Sequence, residues 1–234
     1  MSVKEFIYHH LNKLLPSTCI LCNERSTTHF CHHCQQDLPI LSHHCAKCAE
    51  ILPFSAPACG RCLTNPPPFD LTYALFPYEK PIINLIIALK FQHKLLYANV
   101  LAHCLITKIQ STWYKNTPLP DMIIPVPLHP LRLRERGFNQ ALEIAKPIGK
   151  SLKLPINING LTRIKHTSAQ SHLSAKARMQ NMHNAFTASE DYTGLTIALL
   201  DDVVTTGHTV NACSAALKMN GAKSIHVWCC ARRS

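Results

Sequence analysis

Eight cysteines fall into four Cys-x-x-Cys steps before residue 63: Cys19 and Cys22, Cys31 and Cys34, Cys45 and Cys48, Cys59 and Cys62. Successive pairs are separated by eight, ten and ten residues. Two residues between cysteines let one tight turn present both sulfurs to the same tetrahedral ion, and a second such turn completes a four-thiolate site. Four pairs therefore suit two zinc ions. Sequential pairing groups Cys19, Cys22, Cys31 and Cys34, then Cys45, Cys48, Cys59 and Cys62; the same spacing also permits interleaved pairing, first with third and second with fourth. A disulfide scaffold is the competing reading. Met1 to Leu15 counts against it, because Lys4, Glu5, His9, His10 and Lys13 are scattered there as in a short amphipathic helix, not a secretory signal. The expected compartment is the reducing cytoplasm, where structural disulfides are rare; peripheral attachment at the inner face of the membrane stays open. A site closed by four thiolates has no free coordination position, so the zinc is read as structural. So small a segment has little core of its own, and metal binding on the order of 10–16 kcal/mol per site would supply much of its folding free energy.

Charge divides the chain at about the same place. Lys plus Arg exceeds Asp plus Glu by 11 over the 234 residues, yet residues 1–70 carry five of each sign and are neutral. The whole excess belongs to residues 71–234. Asn65-Pro66-Pro67-Pro68 reads as a stiff extended connector between the two regions. The expectation is a zinc-ribbon domain with a short N-terminal helix over residues 1–66 and a second domain over 67–234. A basic balance of this kind points to an anionic partner, and no apolar run is long enough for a spanning helix.

From Leu71 onward apolar strands alternate with amphipathic helices. Strands are expected at Thr72–Tyr78, Met122–Val126, Thr196–Leu200 and Ser224–Cys229. Helices are expected at Ile82–Phe91, Leu95–Ile109, Asn139–Ser151, Ala175–Met182 and Thr209–Met219. This pattern marks an α/β fold, a parallel sheet with helices on both faces, whose ligands sit at the carboxyl ends of the strands. There Ile197-Ala198-Leu199-Leu200 leads into Asp201-Asp202-Val203-Val204-Thr205-Thr206-Gly207-His208-Thr209. Two carboxylates at a strand end suit vicinal hydroxyls. The turn offers hydroxyls and amides, Gly207 permits close approach, and the following helix adds a positive field, which together make a phosphate cradle. Neither GxxxxGK[ST] nor GxGxxG occurs, against nucleoside-triphosphatase and dinucleotide readings.

Residues 129–178 hold ten basic side chains against Glu135 and Glu143. Lys146, Lys150 and Lys153 read as solvated helix surface. In contrast, the stiff loop Pro125-Val126-Pro127-Leu128-His129-Pro130, followed by Arg132, Arg134 and Arg136, suits a diphosphate through charge-assisted hydrogen bonds. The polar stretch from Arg163 to Arg178 is long enough to close over a ligand and exclude water.

The nine-residue stretch from Asp201 to Thr209 resembles the phosphoribosyl-diphosphate signature of type I phosphoribosyltransferases. The resemblance implies that Asp201 and Asp202 hold the ribose hydroxyls, and that Thr205, Thr206, Gly207, His208 and Thr209 hold the 5-phosphate. Taken with the cysteine pairs, PVPLHPLRLRERGFNQ, RIKHTSAQSHLSAKARMQNMHNAF and LLDDVVTTGHT look like the ComF (ComF/GntX) family of competence proteins, over nearly the whole chain. That likeness implies a double zinc ribbon followed by a type I phosphoribosyltransferase-like domain. It further implies a diphosphate loop at Val126, Pro127, Leu128 and His129, extended by Arg132, Arg136 and Gly137, and a mobile catalytic loop from Arg163 to Arg178. Implied partners are phosphoribosyl diphosphate with Mg²⁺, incoming single-stranded DNA and a competence helicase.

In such a transfer a nucleophile attacks the anomeric carbon as diphosphate leaves, and the protein mainly positions the sugar and neutralises the leaving group. Arg132, Arg136 and Arg163 are the candidates for that charge; Lys165, His166 and His172 are loop candidates for a proton or a cation. No acceptor pocket is legible, and a complete glutamine-dependent amidotransferase is not expected. Two functional readings follow: a phosphoribosyltransferase of unknown acceptor, or a non-catalytic phosphoribosyl-ligand sensor that holds DNA or protein in the uptake machinery.

Overall fold

Continuous apolar runs such as Ile197-Ala198-Leu199-Leu200 need cover on both sides, and the fold supplies it. The computed structural model describes residues 18–164 and 185–233. The chain divides into two compact units, Met1–Pro39 and Ile40–Ser234. The second cysteine quartet is thus counted with the α/β unit. The expected boundary near residue 66 is a different division of the chain. The helices expected over Met1–Leu15 and Ala175–Met182 lie outside the described residues.

In the first unit Cys19 and Cys22 sit on a turn closed by Cys19 N–H to Glu24 O at 2.7 Å, with Asn23 in the left-handed region at φ 64°. Cys31 caps a five-residue helix, α1 (His32–Gln36), and its sulfur accepts from the Cys34 amide at 3.5 Å. The same plan recurs in the second unit. Cys45 N–H donates to Glu50 O at 2.9 Å, Ala49 takes φ 54°, and Cys59 precedes a five-residue helix, α2 (Gly60–Thr64).

The rest of the second unit runs β1 (Leu71–Pro77), α3 (Ile82–Gln92), α4 (Leu96–Lys108) with a π-turn at Ile109–Trp113, β2 (Met122–Pro125), α5 (Pro130–Arg136) and α6 (Gln140–Leu152). It continues through β3 (Leu161–Arg163), β4 (Phe186–Ala188), β5 (Thr196–Val204), α7 (His208–Met219) and β6 (Ser224–Arg232). Four strands form one parallel sheet in the order β1-β6-β5-β2, and β3 and β4 pair as a separate antiparallel hairpin. The expected α/β class, a parallel sheet with helices, is what the chain adopts.

Side chains alternate along a strand, so successive residues serve opposite faces. Ile197, Leu199, Ile225 and Val227 pack with Cys213 and Leu217 of α7, with Leu161 and Phe186 of the hairpin, and with Cys45, Cys48 and Cys62. The second cysteine quartet is therefore part of the core beneath α7. The opposite face meets α4 and α6, which also pack on each other. There the buried Trp228 donates its indole N–H to Tyr114 Oη at 3.1 Å, and Tyr114 Oη lies 2.6 Å from His226 Nδ1.

Three expectations change. Pro130–Arg136 is a helix, not a loop: Pro130 stands at its first position, His129 Nδ1 accepts from Leu131 N–H at 3.3 Å, and Gly137 ends it at φ 78°. β5 runs to Val204, past its expected end at Leu200, because its register with β6 continues through Arg232. The β3–β4 hairpin carries no signal in the sequence, since each strand has three residues and their pairing spans the long intervening stretch.

Tyr114→Phe removes the acceptor for Trp228 and the partner of His226 while keeping the ring. It should destabilise the protein by about 1–3 kcal/mol, the cost of leaving buried polar groups unpaired; urea unfolding of the variant against wild type measures it.

Candidate functional site

Each quartet brings its sulfurs together in the sequential grouping. The four ligand atoms of Cys19, Cys22, Cys31 and Cys34 lie within 4.8 Å of one another, as do those of Cys45, Cys48, Cys59 and Cys62. Cys22 and Cys31 sulfurs are 3.6 Å apart, and Cys48 and Cys59 sulfurs 3.7 Å. A tetrahedron of Zn–S bonds about 2.3 Å long has edges of about 3.8 Å, so both quartets fit zinc. None of them is in a disulfide, nor is any other cysteine among the described residues. The quartets are the sequential ones; the interleaved grouping is not formed.

At the carboxyl end of the sheet, Asp201 and Asp202 are consecutive residues inside β5. Each accepts from the next backbone amide, Asp202 N–H to Asp201 Oδ1 and Val203 N–H to Asp202 Oδ1, both at 2.9 Å. Asp202 is buried and its Oδ2 lies 2.6 Å from Lys90 Nζ of α3, with Arg136 also acting on it. Asp201 faces Cys213, Cys229 and Arg163. Burial, reinforced by the charge of Asp202, pushes the Asp201 carboxyl well above the usual carboxylate range, with Lys90 opposing the shift. Burial likewise raises the Cys213 and Cys229 thiols, so both act as small neutral hydrophobes against it.

Beyond β5, Gly207 takes φ 82° and precedes α7, and a Cβ there would meet nothing within 4 Å. The glycine answers to the left-handed turn and leaves the space above it open. Thr205, Thr206 and His208 are exposed, Thr209 half-buried. The free amides of the first turn of a twelve-residue helix point at that space.

Val126 hydrogen-bonds β5 through its amide to Leu200 O at 2.8 Å, and its carbonyl accepts from Asn139 Nδ2 at 3.0 Å. Pro127, Leu128 and His129 are half-buried between β2 and α5. Arg132 is exposed, whereas Arg136 lies over the Phe91 ring at 5.5 Å. Arg163 ends β3 over the Phe186 ring at 5.5 Å. Burial lowers both guanidinium pKa values, and the like charge of Arg132 adds to each. Arg136 thus acts on Asp202 and Arg163 on Asp201, and both feel the like charge of Arg132. Lys165, His166 and His172 lie outside the described residues. Lys90 was missed by sequence reasoning; its signal was being the one charged side chain in the apolar helix Ile82–Phe91.

Residues 10–63 match the double zinc ribbon domain, and residues 139–234 match the phosphoribosyl transferase domain. Competence protein F of Haemophilus influenzae is 37% identical over 176 residues, 73% of this chain and 76% of that protein. The chain belongs to the ComF family. DNA utilization protein YhgH of Salmonella typhi is 36% identical over 171 residues, covering 73% of this chain and 75% of that protein. Among solved structures, a purine phosphoribosyltransferase from Pyrococcus horikoshii Ot3 aligns at 20% identity over 56% of this chain and 71% of that one, with a TM-score of 0.35. No helix among the described residues of this ComF chain is long and apolar enough to cross a membrane.

Elemental analysis of the purified protein should find two zinc ions per chain; one would refute the paired-quartet reading. A second expectation concerns pH. Because Asp201 titrates higher folded than unfolded, the native state binds the extra proton, and stability falls as pH rises from about 4 towards the raised value. Asp201→Asn should therefore stabilise the protein at neutral pH, with the gain shrinking towards pH 4. Thermal denaturation across that range checks the sign.

Proposed function

We propose that this ComF protein binds 5-phosphoribosyl 1-diphosphate at the carboxyl end of β5 and acts as a phosphoribosyltransferase-like protein in competence for natural transformation. One observation carries the reading: two strand-end carboxylates, Asp202 buried against Lys90 and Asp201 half-buried, with the charges of Arg136 and Arg163 acting on them, run directly into a left-handed Gly207 turn and a helix N-terminus. Hydroxyl acceptors beside a phosphate cradle describe a ribose 5-phosphate, and the surplus of cations suits a second, more highly charged group.

In this reading Thr205 to Thr209 hold the 5-phosphate, Asp201 and Asp202 the ribose hydroxyls, and Val126 to His129 with Arg132 and Arg136 the diphosphate. Mg²⁺, a hard cation that takes oxygen ligands, would neutralise part of the diphosphate charge, and Asp201 and Asp202 are the carboxylates the strand end offers it. The transfer breaks the bond from the anomeric carbon to the diphosphate oxygen and forms one to an acceptor nucleophile. Arg132, Arg136 and Arg163 would take up the charge that gathers on the leaving oxygen. The names of the relatives, a competence protein and a DNA utilization protein, support a setting in competence and the use of DNA; that the DNA is incoming and single-stranded and the compartment the cytoplasm is the further step of this proposal.

Asp201→Asn combined with Asp202→Asn keeps the side-chain shapes and removes both charges. Calorimetry should show phosphoribosyl diphosphate binding abolished while circular dichroism stays that of the wild type. Wild-type affinity in the folded variant would sink the assignment.

A further inference from the structure

Arg232, the last residue of β6, is 1% exposed, an unusual place for a guanidinium. Its donors are spent in two directions. Nε donates to Cys48 O at 3.0 Å, and Nη2 pairs with Glu50, both in the turn of the second cysteine quartet. Nη1 donates to Val204 O at 3.3 Å and to Thr205 O, the residues where β5 becomes the phosphate turn, and to Arg233 O. The same Glu50 oxygen, Oε2, is also met by Arg61 Nη2 at 3.4 Å, and Arg61 reaches Cys48 Sγ at 3.8 Å. A planar, rigid fork with several fixed donors transmits the position of one backbone segment to another better than a flexible side chain would.

We propose that Arg232 is a positioning residue for the Thr205–Thr209 turn, tying it to the second cysteine quartet so that the metal held there helps to order the phosphate cradle. The tie stands on contacts between Cys48, Glu50, Arg232, Val204 and Thr205 alone; its consequence for ligand affinity rests on the sugar-phosphate reading above. The ribbon is anchored to the sheet elsewhere as well. Thr72 Oγ1 donates to Lys47 O at 2.8 Å and Thr72 N–H to Ala46 O at 3.1 Å, so the quartet has a fixed base against which Arg232 can hold the turn.

The experiment is hydrogen exchange of backbone amides, read by mass spectrometry on the full-length, zinc-loaded protein, beside calorimetry with phosphoribosyl diphosphate. Arg232→Gln should speed exchange in residues 203–209 by about tenfold while β2 and α6 keep wild-type protection, and Arg232→Lys should recover part of the loss. Glu50→Gln, at a half-buried position, should speed the same segment by a smaller factor and decides the matter if Arg232→Gln does not fold. Cys59→Ser keeps every Arg232 contact but removes one metal ligand, and should also speed that segment. Wild-type exchange at 203–209 in Glu50→Gln and in folded Arg232→Gln would overturn the tie; wild-type exchange in Cys59→Ser would overturn the metal's part in it. Faster exchange in a protein that binds no phosphoribosyl diphosphate would uphold the tie and refute only the identity of the ligand.

Discussion

Two neighbouring carboxylates at the end of a strand covered on both faces set the terms for everything around them. Removing either charge from water is costly, and together they repel each other. The strand lowers the repulsion by its own geometry, because alternation sends Asp201 and Asp202 to opposite faces. Each then meets a different partner set. Asp202 has Lys90 at 2.6 Å with Arg136 acting on it, whereas Asp201 acts on the thiols of Cys213 and Cys229 and feels the charges of Lys90 and Arg163. The pair is therefore asymmetric: one carboxylate is neutralised by a direct contact, the other is left in an apolar pocket that favours its protonated form.

The cysteine quartets solve a different problem, a chain too short to bury a core. Both use one design: a left-handed residue four positions after the first cysteine, Asn23 or Ala49, and a short helix opened by the third, Cys31 or Cys59. Their surroundings differ. Cys45, Cys48 and Cys62 join the apolar cluster that also contains Leu199, Val227 and Leu217. The second quartet thus works as part of the α/β core, with metal–thiolate bonds doing locally what side-chain packing does over the rest of the sheet.

What the sequence made legible was local chemistry. The apolar run Ile197–Leu200, the left-handed demand at Gly207 and the cysteine spacing each declare themselves within a few residues, and the fold honours them. Long-range pairing was not legible. Lys90 reads as the polar end of an apolar helix until α3 is laid beside β5, and Arg232 reads as a terminal charge until β6 carries it under the phosphate turn. The three-residue strands β3 and β4 show no periodicity to detect. The arginines after Pro130 were assigned to a loop because the flanking prolines dominate the local signal, yet proline at a first helical position and glycine past the end are compatible with a short helix.

The buried guanidinium of Arg232 also makes sense of how charge is distributed. Residues 1–70 are neutral by side-chain count and the excess of 11 lies beyond them. Four thiolates around one divalent ion leave each closed site with about two negative charges. The second quartet would therefore present negative charge to the core at the point where Arg232 and Arg61 approach Cys48 and Glu50. Without that charge, a guanidinium at 1% exposure would lean on Glu50 and carbonyl dipoles alone. Breaking a buried charge pair is far more costly than forming it is rewarding, so the quartet, Glu50 and Arg232 are mutually dependent. Such a network is rigid because each member is expensive to leave unpaired, which suits it to hold the backbone at Val204 and Thr205 in place.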